Sequence, residues 1–240
     1  MRIDKMLANL GYGSRKEVKQ LLKKGYIQVN GNVIKDGKEQ VNPTHDRVTL
    51  NGEVIEYKEY IYLMMNKPQG VISATEDEYE QTVIDLLQME DSVFSPFPVG
   101  RLDKDTEGLL LLTNDGQLAH QLLSPKKHVP KTYFAVIDQE VTEGDIEAFQ
   151  NGVTLDDGYH TKPGILKILK SGIYSDIELT ITEGKFHQVK RMFEAVGKKV
   201  VYLKRVSMGQ LQLDESLDLG EYRELTEEEI SLLKNMNPKE

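Results

Sequence analysis

Four consecutive leucines, Leu109 to Leu112, constrain the fold more than any other stretch of the chain. They read as a buried strand rather than a solvated loop, and that decides how the preceding DKDTEG is understood. Asp103, Asp105, Glu107 and Gly108 match or nearly match the first half of a calcium-binding loop, at positions one, three, five and six. The second half fails: position twelve is Asn114 instead of Glu, and positions seven to ten are the leucines. We therefore expect no metal here, and expect Asp105 and Glu107 to be surface charges in a turn.

The remainder of the sequence sets the class. At 240 residues and 39% hydrophobic, the chain suits one large globular domain or a medium one plus a small one. It has no Cys, which excludes disulfides, thiolate metal sites and cysteine nucleophiles. The N-terminal MRIDKMLANLG carries Asp4 and lacks a signal peptide's apolar run, and the longest apolar stretch, Tyr60 to Met65, is far short of a membrane span. The expected location is the cytoplasm.

Charge is unevenly spread. Residues 1–40 hold nine Lys and Arg against four acids, a net of +5, so the other 200 residues sum to −14 within the total of −9. A second basic island, residues 185–205, holds seven bases against Glu194 alone. Two basic patches on an acidic body point to local phosphate contacts. Between Ser14 and Gly25 the spacing predicts a helix with Ser14 at its N-cap and Glu17 closing a capping box. Lys16, Lys19 and Lys23 share one of its faces. Strand-like YIQVN, an Asn30-Gly31 turn and a return strand VIKDG follow. From Tyr60 onward, strands (YIYLMMN, LLLLT, TYFAVI, SDIELTIT, KVVYLKRVSM) alternate with short helices (VIDLLQM, GQLAHQLL, DIEAFQNG), an α+β domain on a mixed, mostly antiparallel sheet. The expected division is 1–58 and 59–240. In an extended VGRLD segment, Arg101 and Asp103 would point one way while Val99 and Leu102 enter the core.

Two resemblances fit these features. Residues 2 to about 48, with Ser14, Arg15, Gly25, Val29, Asn30 and Gly31 in place, resemble the S4 RNA-binding domain, which implies that Arg15, Lys16 and Lys19 touch an RNA backbone. VGRLDKDTEGLLLLTNDG at 99–116, with MMNKPQG at 64–70, HVPKTYFAV at 128–136 and EGKFHQVKRMF at 183–193, resembles the bacterial pseudouridine synthases of the small-ribosomal-subunit type. That likeness implies an S4-type domain followed by a synthase domain that converts a uridine of 16S rRNA to pseudouridine on a flipped-out nucleotide. It implies Asp103 as the catalytic carboxylate, Lys190 as its cationic partner, and Tyr133 stacking on the base. Leu203 would pack on the base and Arg101 would enter the gap left by the nucleotide. Lys67 and Arg191 complete the expected RNA contacts. The isomerisation needs no cofactor, and the expected partner is 16S rRNA or a small-subunit assembly intermediate, bound by a monomer with no obligate protein partner and no membrane. The alternatives are a sibling acting on 23S rRNA and, from another class, a non-catalytic RNA-binding assembly factor.

If the first domain supplies phosphate contacts, replacing Arg15, Lys16 and Lys19 together by Ala will weaken RNA binding. Each lost contact will remove roughly one unit from the slope of log affinity against log salt. Titrations at several salt concentrations read both effects, and an unchanged slope locates the electrostatic contacts elsewhere.

Overall fold

The computed structural model describes residues 1–43 and 45–235. The chain forms two compact units, one from Met1–Ile61 with Leu87–Pro96, the other from Tyr62–Leu86 with the residues from Phe97 onward.

In the first unit, α1 (Ile3–Asn9) and α2 (Arg15–Lys23) pack beside a small sheet of β1 (Ile27–Val29), β2 (Asn32–Val33), β3 (Val48–Leu50) and β4 (Glu53–Ile55), in the order β2-β1-β3-β4. The capping box at the start of α2 forms as its sequence dictates: the Glu17 amide donates to Ser14 Oγ, and the Ser14 amide donates to Glu17 Oε2 at 2.7 Å. Val18 and Leu22 on one face of α2 join Ile3, Met6, Leu7 and Ile27 in a small core. Arg15, Lys16 and Lys19 are all exposed.

The second unit is built on a larger sheet. Its elements, in chain order, are β5 (Tyr62–Lys67), β6 (Phe97–Pro98), β7 (Glu107–Thr113), α4 (Gly116–Leu123), β8 (Lys131–Ile137), α5 (Glu143–Asn151), β9 (Ile165–Lys170), β10 (Ser175–Ile181), α6 (Gln188–Ala195), β11 (Val200–Met208), β12 (Leu211–Gln212), β13 (Tyr222–Glu224) and α7 (Glu227–Lys234). α3 (Met89–Ser92) lies in the stretch that joins the first unit. The main strand order is β13-β5-β7-β11-β8-β10-β9, with β12 on β11 and β6 on β7. Among the described residues β7 and β11 are the one parallel pair in a sheet otherwise antiparallel. The leucine run is a strand, and all seven residues of β7 are buried. Its side chains feed a core with Tyr62, Met64, Leu118, Leu122 and Met208.

One local expectation changes, and another holds by a different route. VIDLLQM is not one helix: Ile84–Leu86 makes a single 3-10 turn, extended Gln88 interrupts, and α3 starts at Met89. VGRLD does not alternate as a strand, because Gly100 has φ +77°. That left-handed step breaks the period of two, so Val99 and Leu102 both bury although they differ in parity.

Gly108 marks the tightest strand approach. It sits at φ +102°, and a Cβ there would run into the backbone oxygen and nitrogen of Arg205 on β11. Gly108→Ala is therefore expected to cost more than about 2 kcal/mol through strain and collision together. Urea denaturation will read this as a lowered midpoint, whereas Gly116→Ala, at a position whose Cβ meets nothing within 4 Å, will be far milder.

Candidate active site

The segment entering β7 presents Asp103, and its main chain is fixed from beneath. Lys67 ends β5 with no exposed surface, and its ammonium donates to the carbonyls of Pro68 (2.9 Å), Asp103 (3.0 Å) and Thr106 (3.0 Å), using all three hydrogens. Ser73 Oγ accepts from the Leu102 amide and donates to the Leu102 carbonyl, each at 3.0 Å. The Gly70 amide reaches the Lys104 carbonyl at 2.8 Å. With the backbone from Leu102 to Thr106 pinned, the Asp103 side chain is the part left to face outward. Burial lowers the Lys67 pKa to about 8, against the pull of Asp103, Asp105 and Glu107. The expectation that Lys67 contacts RNA is thus corrected: its ammonium is enclosed and fully used inside the protein.

The Asp103 carboxylate meets helix α6. Lys190 Nζ lies 3.3 Å from Oδ2, and His187 Nε2 lies 3.7 Å from Oδ1. His187, the residue before α6, is held in the left-handed region at φ 49°. Lys190 is closer still to Asp105, at 2.6 Å. Burial alone would depress the Lys190 pKa, but the bond to Asp105 and the nearby Asp103 charge raise it on balance. Burial likewise pushes Asp105 upward, and the Lys190 hydrogen bond and charge, with smaller contributions from a backbone hydrogen bond and His187, together hold that carboxyl below its usual range. Asp105 is a surface charge, with 68% of its side chain exposed, yet it shares the Lys190 cation. Glu107 is not at the surface. It is buried and accepts a 2.6 Å bond from the Tyr202 hydroxyl, whose pKa is raised first by burial and then by that carboxylate. Arg191 turns away from Asp103: Nε is 2.6 Å from Asp156 and Nη2 is 2.7 Å from Asp157.

A cavity of about 610 Å³ opens beside this cluster, within the size range of small-molecule sites. Of the expected residues it is lined by Arg101, Asp103, Tyr133, Lys190 and Leu203. Arg15, Lys16 and Lys19 belong to the other compact unit. Two further lining residues, Lys131 and Arg205, escaped the sequence reading as participants, and His187, which the sequence allows as either a structural or an RNA-contacting residue, lines the cavity too. The β8–β11 register sets Tyr133 opposite Arg205, and Leu203 opposite Ala135. Arg205 is 2% exposed; Nε donates to the Leu109 carbonyl at 2.8 Å, and Nη2 has no acceptor among the described residues. Lys131 donates to the Val129 carbonyl at 3.1 Å, and burial, with help from the Arg205 charge, lowers its pKa to about 8.

A lysine with a folded-state pKa near 8 and an ordinary unfolded value of 10.5 binds fewer protons folded than unfolded between those pH values. Its contribution to stability accordingly rises with pH across that window. Lys131→Met is expected to unfold with a shallower rise, or steeper fall, in free energy from pH 8 to 10 than the wild type, as measured by urea denaturation at each pH. A parallel pair of curves would contradict the assignment.

Residues 61–195 match the RNA pseudouridylate synthase family, and residues 1–46 match the S4 domain. The chain is 60% identical to the uncharacterized RNA pseudouridine synthase YtzG of Bacillus subtilis (strain 168), over 97% of this chain and 98% of that protein. It is 38% identical to ribosomal small subunit pseudouridine synthase A of Escherichia coli (strain K12), over 96% and 99% of the two chains. A crystal structure of a pseudouridylate synthase superposes with a TM-score of 0.68 at 38% identity, covering 97% of this chain and 99% of the other. The fold, the family match over more than half of the chain and the near full-length relatives thus lead to one conclusion: the chain belongs to the RNA pseudouridylate synthase family.

Proposed function

We propose that the protein isomerises one uridine of 16S rRNA to pseudouridine, with Asp103 as the catalytic carboxylate. The observation that carries this reading is the Asp103 side chain projecting from a pinned backbone into the cavity, 3.3 Å from Lys190. An ionised carboxylate in a pocket that takes up a nucleobase is driven toward protonation by desolvation, and a cation at this distance opposes that drive. The carboxylate then acts either by attacking C1′ or by removing the C2′ proton as the N1–C1′ bond breaks. The freed base turns, and C5 joins C1′. Tyr133 and Leu203, both buried on neighbouring strands and both lining the cavity, supply a stacking face and an apolar wall for the uracil.

A uridine within folded RNA exposes neither C1′ nor C5, so it must leave the stack, at a cost of a few kcal/mol. Arg101, exposed and two residues from Asp103, is suited to fill the vacated gap. The choice of 16S rRNA rests on the named small-subunit enzymes of E. coli and of Vibrio cholerae, 38% and 42% identical over 96% of this chain.

Carbodiimide mapping of pseudouridine in rRNA from a deletion strain tests the substrate: one 16S signal will vanish, and loss of a 23S signal with 16S intact would overturn the choice. Two substitutions test the mechanism. Asp103→Asn will reduce single-turnover product to background while RNA affinity is largely retained. Asp105→Asn will stay within about tenfold of wild type, some 1.4 kcal/mol in the barrier, because it removes a competitor for Lys190 without touching the reacting carboxylate. Turnover by Asp103→Asn at the wild-type rate would end the catalytic assignment.

A further inference from the structure

The cavity has two electrostatically different sides. Around Asp103, carboxylate is in excess, since one ammonium, Lys190, bridges two carboxylates, with the His187 ring beside one of them. The strand floor is different. Lys131 and Arg205 both line it, near enough for the Arg205 charge to act on Lys131, and neither has an acidic partner among the described residues. Their acceptors are two backbone carbonyls, and Arg205 Nη2 has none. Two neighbouring cations, Arg205 buried and Lys131 half-buried, are costly to the fold without a counter-charge. Such an arrangement suits negative charge that arrives with a bound molecule or develops during its reaction.

The isomerisation supplies that charge. When N1–C1′ breaks heterolytically, the bonding pair stays on the uracil N1 and spreads over O2 and O4, giving a uracil anion. The Asp103 cluster favours the sugar side and, being rich in carboxylate, opposes the anion. We infer that Lys131 and Arg205 are catalytic residues that stabilise the departing uracil anion from the cavity floor. The electron count closes without a co-reactant: the pair left on the ring returns as C5 bonds to C1′, the C5 proton is lost, and N1 takes up a proton. The neighbours of the two cations favour a base over an RNA phosphate, because Tyr133, Ile181 and Leu203 give this floor buried aromatic and aliphatic surface that suits a flat ring.

The inference rests on the isomerase reading above, and leaving-group dependence separates the two. Single-turnover rates at saturating RNA are measured for wild type, Lys131→Met and Lys131→Arg, on a small-subunit RNA fragment carrying either uridine or 5-fluorouridine at the target. Consumption of the starting nucleoside is followed by digestion and chromatography. Fluorine stabilises the uracil anion by itself, so Lys131→Met is expected to lose about 100-fold with uridine and about tenfold or less with 5-fluorouridine. Lys131→Arg, which keeps the charge, will recover most of the rate. Should Lys131→Met melt well below wild type, Lys131→Gln, which keeps a donor for the Val129 carbonyl, carries the same comparison. Equal losses on both substrates, or no loss, would overturn the inference while leaving the isomerase reading intact. A defect confined to RNA affinity with the saturating rate unchanged would also overturn it, in favour of a phosphate contact. A wild-type protein inert on 16S and 23S rRNA alike would overturn both.

Discussion

The site depends on one buried ammonium. Lys67 reaches from the end of β5 beneath the loop that precedes β7 and gathers three carbonyl oxygens. A buried lysine is among the more costly features a fold can hold, and this one is acceptable because every hydrogen is used. The consequence is geometric: the Asp103 carbonyl is bound by Lys67 and also by the Thr106 amide at 3.0 Å, so its backbone has little freedom. In the mechanism proposed above, that rigidity would hold the Asp103 carboxylate to one direction of approach to the sugar carbon.

Charge in the cavity follows a similar division of labour. Helix α6 contributes Lys190 and, at its entry, His187 to the carboxylate side, whereas β8 and β11 contribute the uncompensated cations of the floor. Asp105 holds the Lys190 ammonium more closely than Asp103 does, 2.6 against 3.3 Å. The cation is thereby held by Asp105 while remaining within reach of Asp103.

Much of this was legible in the sequence where the signal is local. The leucine run, the Ser14–Glu17 capping box and the strands β5, β7, β8, β10 and β11 follow from short-range patterns, whereas β9 and α6, the helix that brings Lys190 to Asp103, went unread. What the sequence concealed depends on pairing at a distance. Lys131 and Arg205 are ordinary strand residues until β8 and β11 come into register. Lys67 carries the same charge whether it meets a phosphate or three carbonyls, and no neighbouring residue distinguishes the two. Glu107 belongs to a polar string by sequence but to a buried strand by structure, with Tyr202 of β11 supplying its partner. The left-handed turn at Gly100 defeats simple alternation, which is why Val99 and Leu102 both reach the core.

The segment Leu87–Pro96 leaves the second compact unit and packs with the first before the chain returns at Phe97. Gly11 of the first unit lies so close to Val93 of this segment that a Cβ there would fall 2.8 Å from Val93 Cγ1. The RNA-binding module is therefore not a bead on a single string. Cutting the chain after residue 61 would strip ten residues in the middle of the remaining polypeptide of the surface they cover.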